Sequence, residues 1–219
     1  MKTLLCAVIV MYALGNHSVL FAGDFEGIIH LKHTRSSSPL VTNTEVYVKG
    51  ARTRYHSDRG RSQNEAIIVD SERHTVTFLK GKDAVIVDSG KGYSGIAAFV
   101  NQMPAMILDR TGKRDTVAGH LCETWRVIDK KTKATAFEVC TAEGLDRSET
   151  VIIGWEIAPP FLQSSWMKQL AKEGGFTLRS ISYDGEREEG RTEVTSIEKK
   201  DLEDSFFTIP ANYSKQDIR

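Results

Sequence analysis

The stretch CETWRVIDKKTKATAFEVC, residues 122–140, opens and closes on cysteine and reads as two strands around a charged turn. Apolar and polar residues alternate on both sides of Asp129-Lys130-Lys131-Thr132-Lys133, the period-two pattern of a half-buried strand. A register symmetric about Lys131 sets Cys122 opposite Cys140, Trp125 opposite Phe137 and Thr124 opposite Glu138. Directly opposed antiparallel residues have Cα atoms about 4.5–5.5 Å apart, within the reach of a disulfide. The same register gathers Trp125, Val127, Phe137 and Val139 on one face and leaves the bridge on the other, more polar one. A redox pair usually has Cys-x-x-Cys spacing, which is absent, and a structural zinc site needs further ligands where only His120 is near. The expectation is a structural disulfide between Cys122 and Cys140.

That expectation depends on the compartment. MKTLLCAVIVMYALGNHSVLFAG, residues 1–23, has one lysine, an apolar run and then small and polar residues, the layout of a secretory signal peptide. Its apolar run is short for a bilayer span, which needs about 20 apolar residues, so an uncleaved anchor is the lesser alternative. Cys6 leaves with the leader, and the exported chain keeps two cysteines in an oxidising space. Cys6 is too early to be a lipid-modified first residue. Residues 24–219 are expected to form a single domain. The 29 basic and 29 acidic residues balance, so nothing in the charge points to nucleic acid. No second segment has the length and apolarity of a membrane span.

Outward from the hairpin, the period-two pattern dominates. DFEGIIHLKHTR and TEVYVKGARTRYHS each alternate, with Gly50 as a turn or bulge. Short strands are expected over Ala66–Val69, Thr75–Leu79, Ala84–Val87, Arg114–Val117, Leu121–Ile128, Thr135–Cys140, Phe176–Tyr183 and Arg191–Ile197. Two segments have helical spacing. One carries Ile96, Phe99, Val100 and Met103; the other, PPFLQSSWMKQLAKEGG, puts Leu162, Trp166, Met167 and Leu170 on one stripe and stops at paired glycines. Sequential strands on short turns pair antiparallel, and the dry face of the resulting sheet must be covered by these helices.

Catalytic motifs are missing. His30 and His33 lie on opposite faces of one strand, His56, His74 and His120 stand alone, and no nucleophile elbow, zinc-protease or phosphate-loop pattern occurs. No metal site and no cofactor is expected. An enzyme would need His30, His56 or His74 to converge with acids in a cleft.

Several stretches together resemble a known group: FEGIIHLKHT, YVKGARTRYH, IIVDSERHTVTFL, TGKRDTVAGHLCETWRV, GGFTLRSISYDG and TEVTSIEKKDLEDSFFTIPANY. They run from Phe25 to Tyr213 and resemble an exported bacterial family of unassigned function. That family is similar to the periplasmic lipoprotein carriers and receptors of the LolA-like superfamily. The resemblance implies a mostly β fold with some α. It would be a strongly curved antiparallel half-barrel, covered on its concave side by about two helices around an apolar cavity. It also implies a soluble, periplasmic setting and a hydrophobic ligand, a lipid or lipoprotein acyl chain. The residues expected to line the cavity are Trp125, Phe137, Trp155, Phe161, Trp166 and Leu170. The expected function is a non-enzymatic carrier or binding module. The alternative is a structural or interaction protein of the cell envelope, with a filled core and an envelope protein as partner.

Overall fold

The computed structural model describes residues 25–58, 65–88, 105–142, 151–153, 156–158 and 164–218. The expected leader, the helical spacing at 96–103, Trp155 and Phe161 lie outside the described residues. The strands are β1 (Glu26–Arg35), β2 (Ser38–Lys49), β3 (Arg52–Ser57), β4 (Ala66–Asp70), β5 (Thr75–Lys80), β6 (Asp83–Asp88) and β7 (Met106–Val117). They continue as β8 (His120–Asp129), β9 (Thr135–Ala142), β10 (Val151–Ile153) and β11 (Glu156–Ala158). Helix α1 (Ser165–Gly174) then precedes β12 (Phe176–Asp184), β13 (Arg187–Lys199), a 3-10 turn (Asp204–Phe207) and β14 (Ser214–Ile218).

Twelve strands form one open sheet in the order β14-β6-β5-β4-β3-β2-β1-β13-β12-β9-β8-β7, and β10-β11 make a separate ribbon. The sequential strands pair antiparallel, as short turns require. The β7–β8 turn shows the mechanism: Ala118 and Gly119 both have positive φ, 50° and 80°, the backbone of a type I′ hairpin. β14 departs from the rule and runs parallel to β6. No strand was expected there, because SKQDI does not alternate apolar with polar.

A sheet of this width cannot stay flat, and register shifts in β1, β7 and β12 bend it. The bend has a direct witness. Arg179 on β12 donates to Asp115 on β7 at 2.7 Å, although β9 and β8 lie between them. In a flat sheet three inter-strand steps would separate these backbones by about 14 Å. Among the described residues one α-helix covers the sheet, where about two were expected.

The register threads one apolar row through seven strands: Ile197, Ile29, Val46, Tyr55, Ile67, Phe78 and Val85. The opposite face of the same strands is closed by the C-terminal segment. Leu202 and Phe207 cover Ile28 and Tyr47, while Ile209 and Tyr213 cover Ala66, Ile68, Leu79 and Ala84. Polar pins hold the segment down. Glu26 Oε1 accepts the Leu202 N–H at 2.5 Å and lies 3.1 Å from Lys49 Nζ, and Arg52 donates to Asp204 at 2.9 Å.

The Cys122–Cys140 disulfide is present, with Cα atoms 5.4 Å apart. Its register differs from the expected one. Thr124 opposes Cys140, Trp125 opposes Val139 and Val127 opposes Phe137, a slip of two residues. The turn chemistry is the cause. Asp129 Oδ1 accepts the N–H groups of Lys131 and Thr132 at 2.7 and 2.8 Å, Lys133 takes φ 62°, and the ladder skips a residue beside Ile128. A slip of two keeps every side chain on its face, so Trp125, Val127, Phe137 and Val139 still share one. The bridge stays on the opposite face, in line with Thr124 and Arg179, but it is buried there. Both cysteines are 2% exposed and pack in the main core with Val117, Ala142, Phe176 and Leu178. Of these, Val117 comes from β7 and Phe176 and Leu178 from β12, outside the hairpin.

Candidate functional site

Helix α1 begins after Ser164 in extended backbone and ends at Gly175, whose φ is 84°. Its buried stripe is Trp166, Met167 and Leu170, with Lys168, Gln169, Lys172 and Glu173 in solvent. The stripe meets Trp125, Val127 and Val139, with Met106, Leu108 and Phe137 half-buried beside them. The Phe137 and Trp166 rings stack at 6.3 Å, and the Arg110 guanidinium lies 5.3 Å from the centre of the Trp125 ring. The helix end sits so close that a Cβ on Gly174 would fall 2.7 Å from Thr141 Oγ1 and 3.2 Å from Trp125 Nε1.

Four of the six expected lining residues, Trp125, Phe137, Trp166 and Leu170, are therefore brought together; Trp155 and Phe161 lie outside the described residues. The four pack on one another, and Leu170, Val127 and Val139 are 0% exposed. This end of the face is filled by protein.

The same face continues across the sheet. Val139 opposes Ser180 and Ser180 opposes Thr192; Thr192 in turn opposes His33, whose Nδ1 lies 2.9 Å from Thr192 Oγ1. This buried polar belt separates the tryptophan cluster from the long apolar row. Along that row Val46 and Tyr55 are buried, Ile67 and Val85 are half-buried, and Phe78 is 45% exposed. The apolar surface thus opens toward β6. Lys80 Nζ and Glu65 Oε1, 4.0 Å apart, mark its polar border. The sequence reading placed Ile67, Phe78 and Val85 on strands but not at a site. Their spacing matches any half-buried strand, and only the cross-strand register aligns them.

Two of the histidines meet acids across strands on the outer face. His30 Nε2 faces Glu198 Oε1 at 3.3 Å and its Nδ1 is 4.0 Å from Glu45 Oε1. His56 opposes Glu45 from the next strand, and His74 sits in the β4–β5 turn with φ 53°. Among the described residues no three of His, Cys, Asp and Glu are placed to hold a metal ion. On that outer face burial, and then the Glu45 carboxylate that accepts its hydroxyl at 2.5 Å, push the Tyr47 phenol up to about 12.

No curated protein matches the chain. Solved structures do. PNGF-II in a C2 crystal aligns with a TM-score of 0.50 at 12% identity, over 89% of this chain and 31% of that one. MucB in complex with MucA(peri) aligns at 0.47 and 15% identity, over 86% of this chain and 55% of that one. A LolA superfamily protein, NE2245 from Nitrosomonas europaea, aligns at 0.33 and 10% identity, over 86% and 91%. The chain spans about a third of the PNGF-II chain and a little over half of MucB, and at these identities the likeness concerns fold alone. A family model matches residues 25–213, nearly all of the described sheet, and by that match the chain belongs to the family described as Domain of unknown function (DUF4412).

Proposed function

We propose that this is an exported, non-enzymatic protein of the bacterial envelope that binds a hydrophobic ligand, a lipid or lipoprotein acyl chain. The observation that carries the reading is the seven-strand apolar row, whose far end leaves Phe78 45% exposed between half-buried Ile67 and Val85. An open apolar shelf continuous with a core is costly to leave in water, and each methylene buried on it contributes about 0.8 kcal/mol. The disulfide fits an oxidising compartment, and no helix among the described residues is long and apolar enough to cross a membrane. Native mass spectrometry of the protein purified from the periplasm, with fluorescent fatty-acid titration, tests the reading. Bound lipid and saturable titration support it, and Phe78→Asp should weaken the titration with little change in unfolding.

The alternative, an interaction protein with a filled core, draws on the absence of any exposed surface at Leu170, Val127 and Val139. Protein that carries no lipid and takes up no fatty acid would establish it over the first.

A further inference from the structure

The two edges of the twelve-strand sheet are finished differently. β7 closes one edge with a bulge at Arg110–Arg114 and a run of charges, Asp109, Arg110, Lys113, Arg114 and Asp115. Bulges and charges at an edge discourage pairing with another chain. Near the opposite edge lies β6, DAVIVD, residues 83–88. Its four central residues, Ala84, Val85, Ile86 and Val87, are all apolar, so both of its faces are apolar. Such a run is the mark of a strand covered on both faces. β5 flanks it on one side, and on the other it has only β14.

β14 is a poor match for that place. Every other pair described in the sheet is antiparallel, while β14 runs parallel to β6, a slightly weaker pairing per residue. Ser214, Lys215, Gln216 and Asp217 are exposed, so these side chains bury little against the edge. The register sets Lys215 beside Ala84, Gln216 beside Val85 and Asp217 beside Ile86, a polar residue against an apolar one at each step. Gln216 thereby ends the apolar row that runs through Ile67, Phe78 and Val85.

The chain upstream is anchored independently. Ile209 and Tyr213 pack on Ala66, Ile68, Leu79 and Ala84. The Tyr213 N–H donates to the Pro210 carbonyl at 3.1 Å, and the Ser214 N–H donates to the Lys82 carbonyl at 2.8 Å. β14 can therefore leave the edge from Lys215 onward while the segment that covers the outer face stays in place. Its departure uncovers a row of β6 backbone donors and acceptors flanked by apolar side chains on both faces.

We propose that the β6 edge is a strand-addition site for an extended segment of a partner protein, with apolar residues at alternate positions, that replaces β14. Main-chain hydrogen bonds give such a segment its affinity, and its alternate side chains give specificity. An apolar residue in the place of Gln216 extends the row over Val85 toward the exposed Phe78. A second copy of this chain has no such segment to spare among the described residues, because its apolar strands are already paired. The site is separate from the proposed lipid binding, since it recognises backbone groups that a lipid lacks.

The test is fluorescence anisotropy with a labelled peptide of residues 213–219 carrying Ser214→Val and Gln216→Val, against the same peptide unchanged. The valine peptide should bind the full chain about tenfold or more tighter, because burial of one valine side chain is sufficient for a decade in affinity. In the protein, Gln216→Pro changes an exposed position and disrupts β14. It should tighten the valine peptide by about tenfold or more, because β14 no longer competes for the edge. Asp217→Cys with Ile86→Cys, neighbours across the β14–β6 ladder, bridges β14 to the edge. This locked chain should not bind the peptide, and opening the added bridge with reductant should restore binding. Fatty-acid titration of the same proteins reads the lipid proposal separately. A valine peptide that binds neither the full chain nor the Gln216→Pro chain, or that binds the locked chain unchanged, overturns the proposal. So does self-association of the Gln216→Pro chain that shuts out the peptide, which would assign the edge to a second copy.

Discussion

Reducing the Cys122–Cys140 bridge should cost about 3 kcal/mol of stability without unfolding the protein. The two cysteines are 18 residues apart in sequence. In the chain-entropy relation a loop of that length removes about 11 cal/mol/K from the unfolded ensemble, or about 3 kcal/mol at 25 °C. A domain stability of about 5–15 kcal/mol survives that loss. The fold should persist because β8 and β9 are interior strands, each paired on both sides. Both sulfurs are buried, so the reduced form is best made by unfolding in reductant and refolding. Comparing urea transitions of the oxidised and reduced chains then isolates the cross-link, because every side-chain atom except two thiol hydrogens is retained. With a urea slope of about 1–3 kcal/mol/M, the midpoint should fall by about 1–3 M. A loss under about 1 kcal/mol would refute the reasoning. It would mean that the hairpin already holds its two ends together in the unfolded chain.

Leu170→Ala removes a fully buried side chain from the helix–tryptophan cluster and should cost about 2–5 kcal/mol; a smaller loss in chemical unfolding would mean that the cluster collapses into the space. Acid should destabilise the fold with a definite sign. Hydrogen bonds hold Glu26, Asp115, Asp129 and Asp204 below their ordinary values, chiefly from the Leu202 N–H, Arg179, the Thr132 N–H and Arg52 respectively. Their contribution is present above the ordinary carboxylate range and is lost as pH falls through the depressed values. The thermal midpoint should therefore be level near neutrality and drop below about pH 4.5; a midpoint constant into strong acid would contradict these bonds. At the alkaline end, ultraviolet titration should show one tyrosine ionising at about 12, missing in Tyr47→Phe. Because that folded value is raised, its contribution holds below the ordinary phenol range and fades as pH rises through 12.

Local signals carried much of this fold. The alternation in β4, β5, β6, β8 and β12 marks their positions to within a residue or two, because a strand's side-chain period is written in its own sequence. The same holds for α1, whose stripe of Trp166, Met167 and Leu170 shows its buried face. β7 was shortened to Arg114–Val117 because its bulge interrupts the alternation; the strand starts at Met106. The candidate shelf was not legible either, since Phe78 has the spacing of any half-buried strand residue.

The amino-acid sequence by itself determined the strand-rich character, the tryptophan face of the hairpin and the pairing of two cysteines, all of which depend on residues close along the chain. Only the tertiary structure decided that the disulfide is buried, since Val117 and Phe176 reach it from other strands. The parallel docking of β14 on β6 is likewise long-range. So is the row that ends at Phe78. Each depends on the register and curvature of a twelve-strand sheet, and a two-residue slip at one turn changes which residues meet while leaving the period of every strand the same.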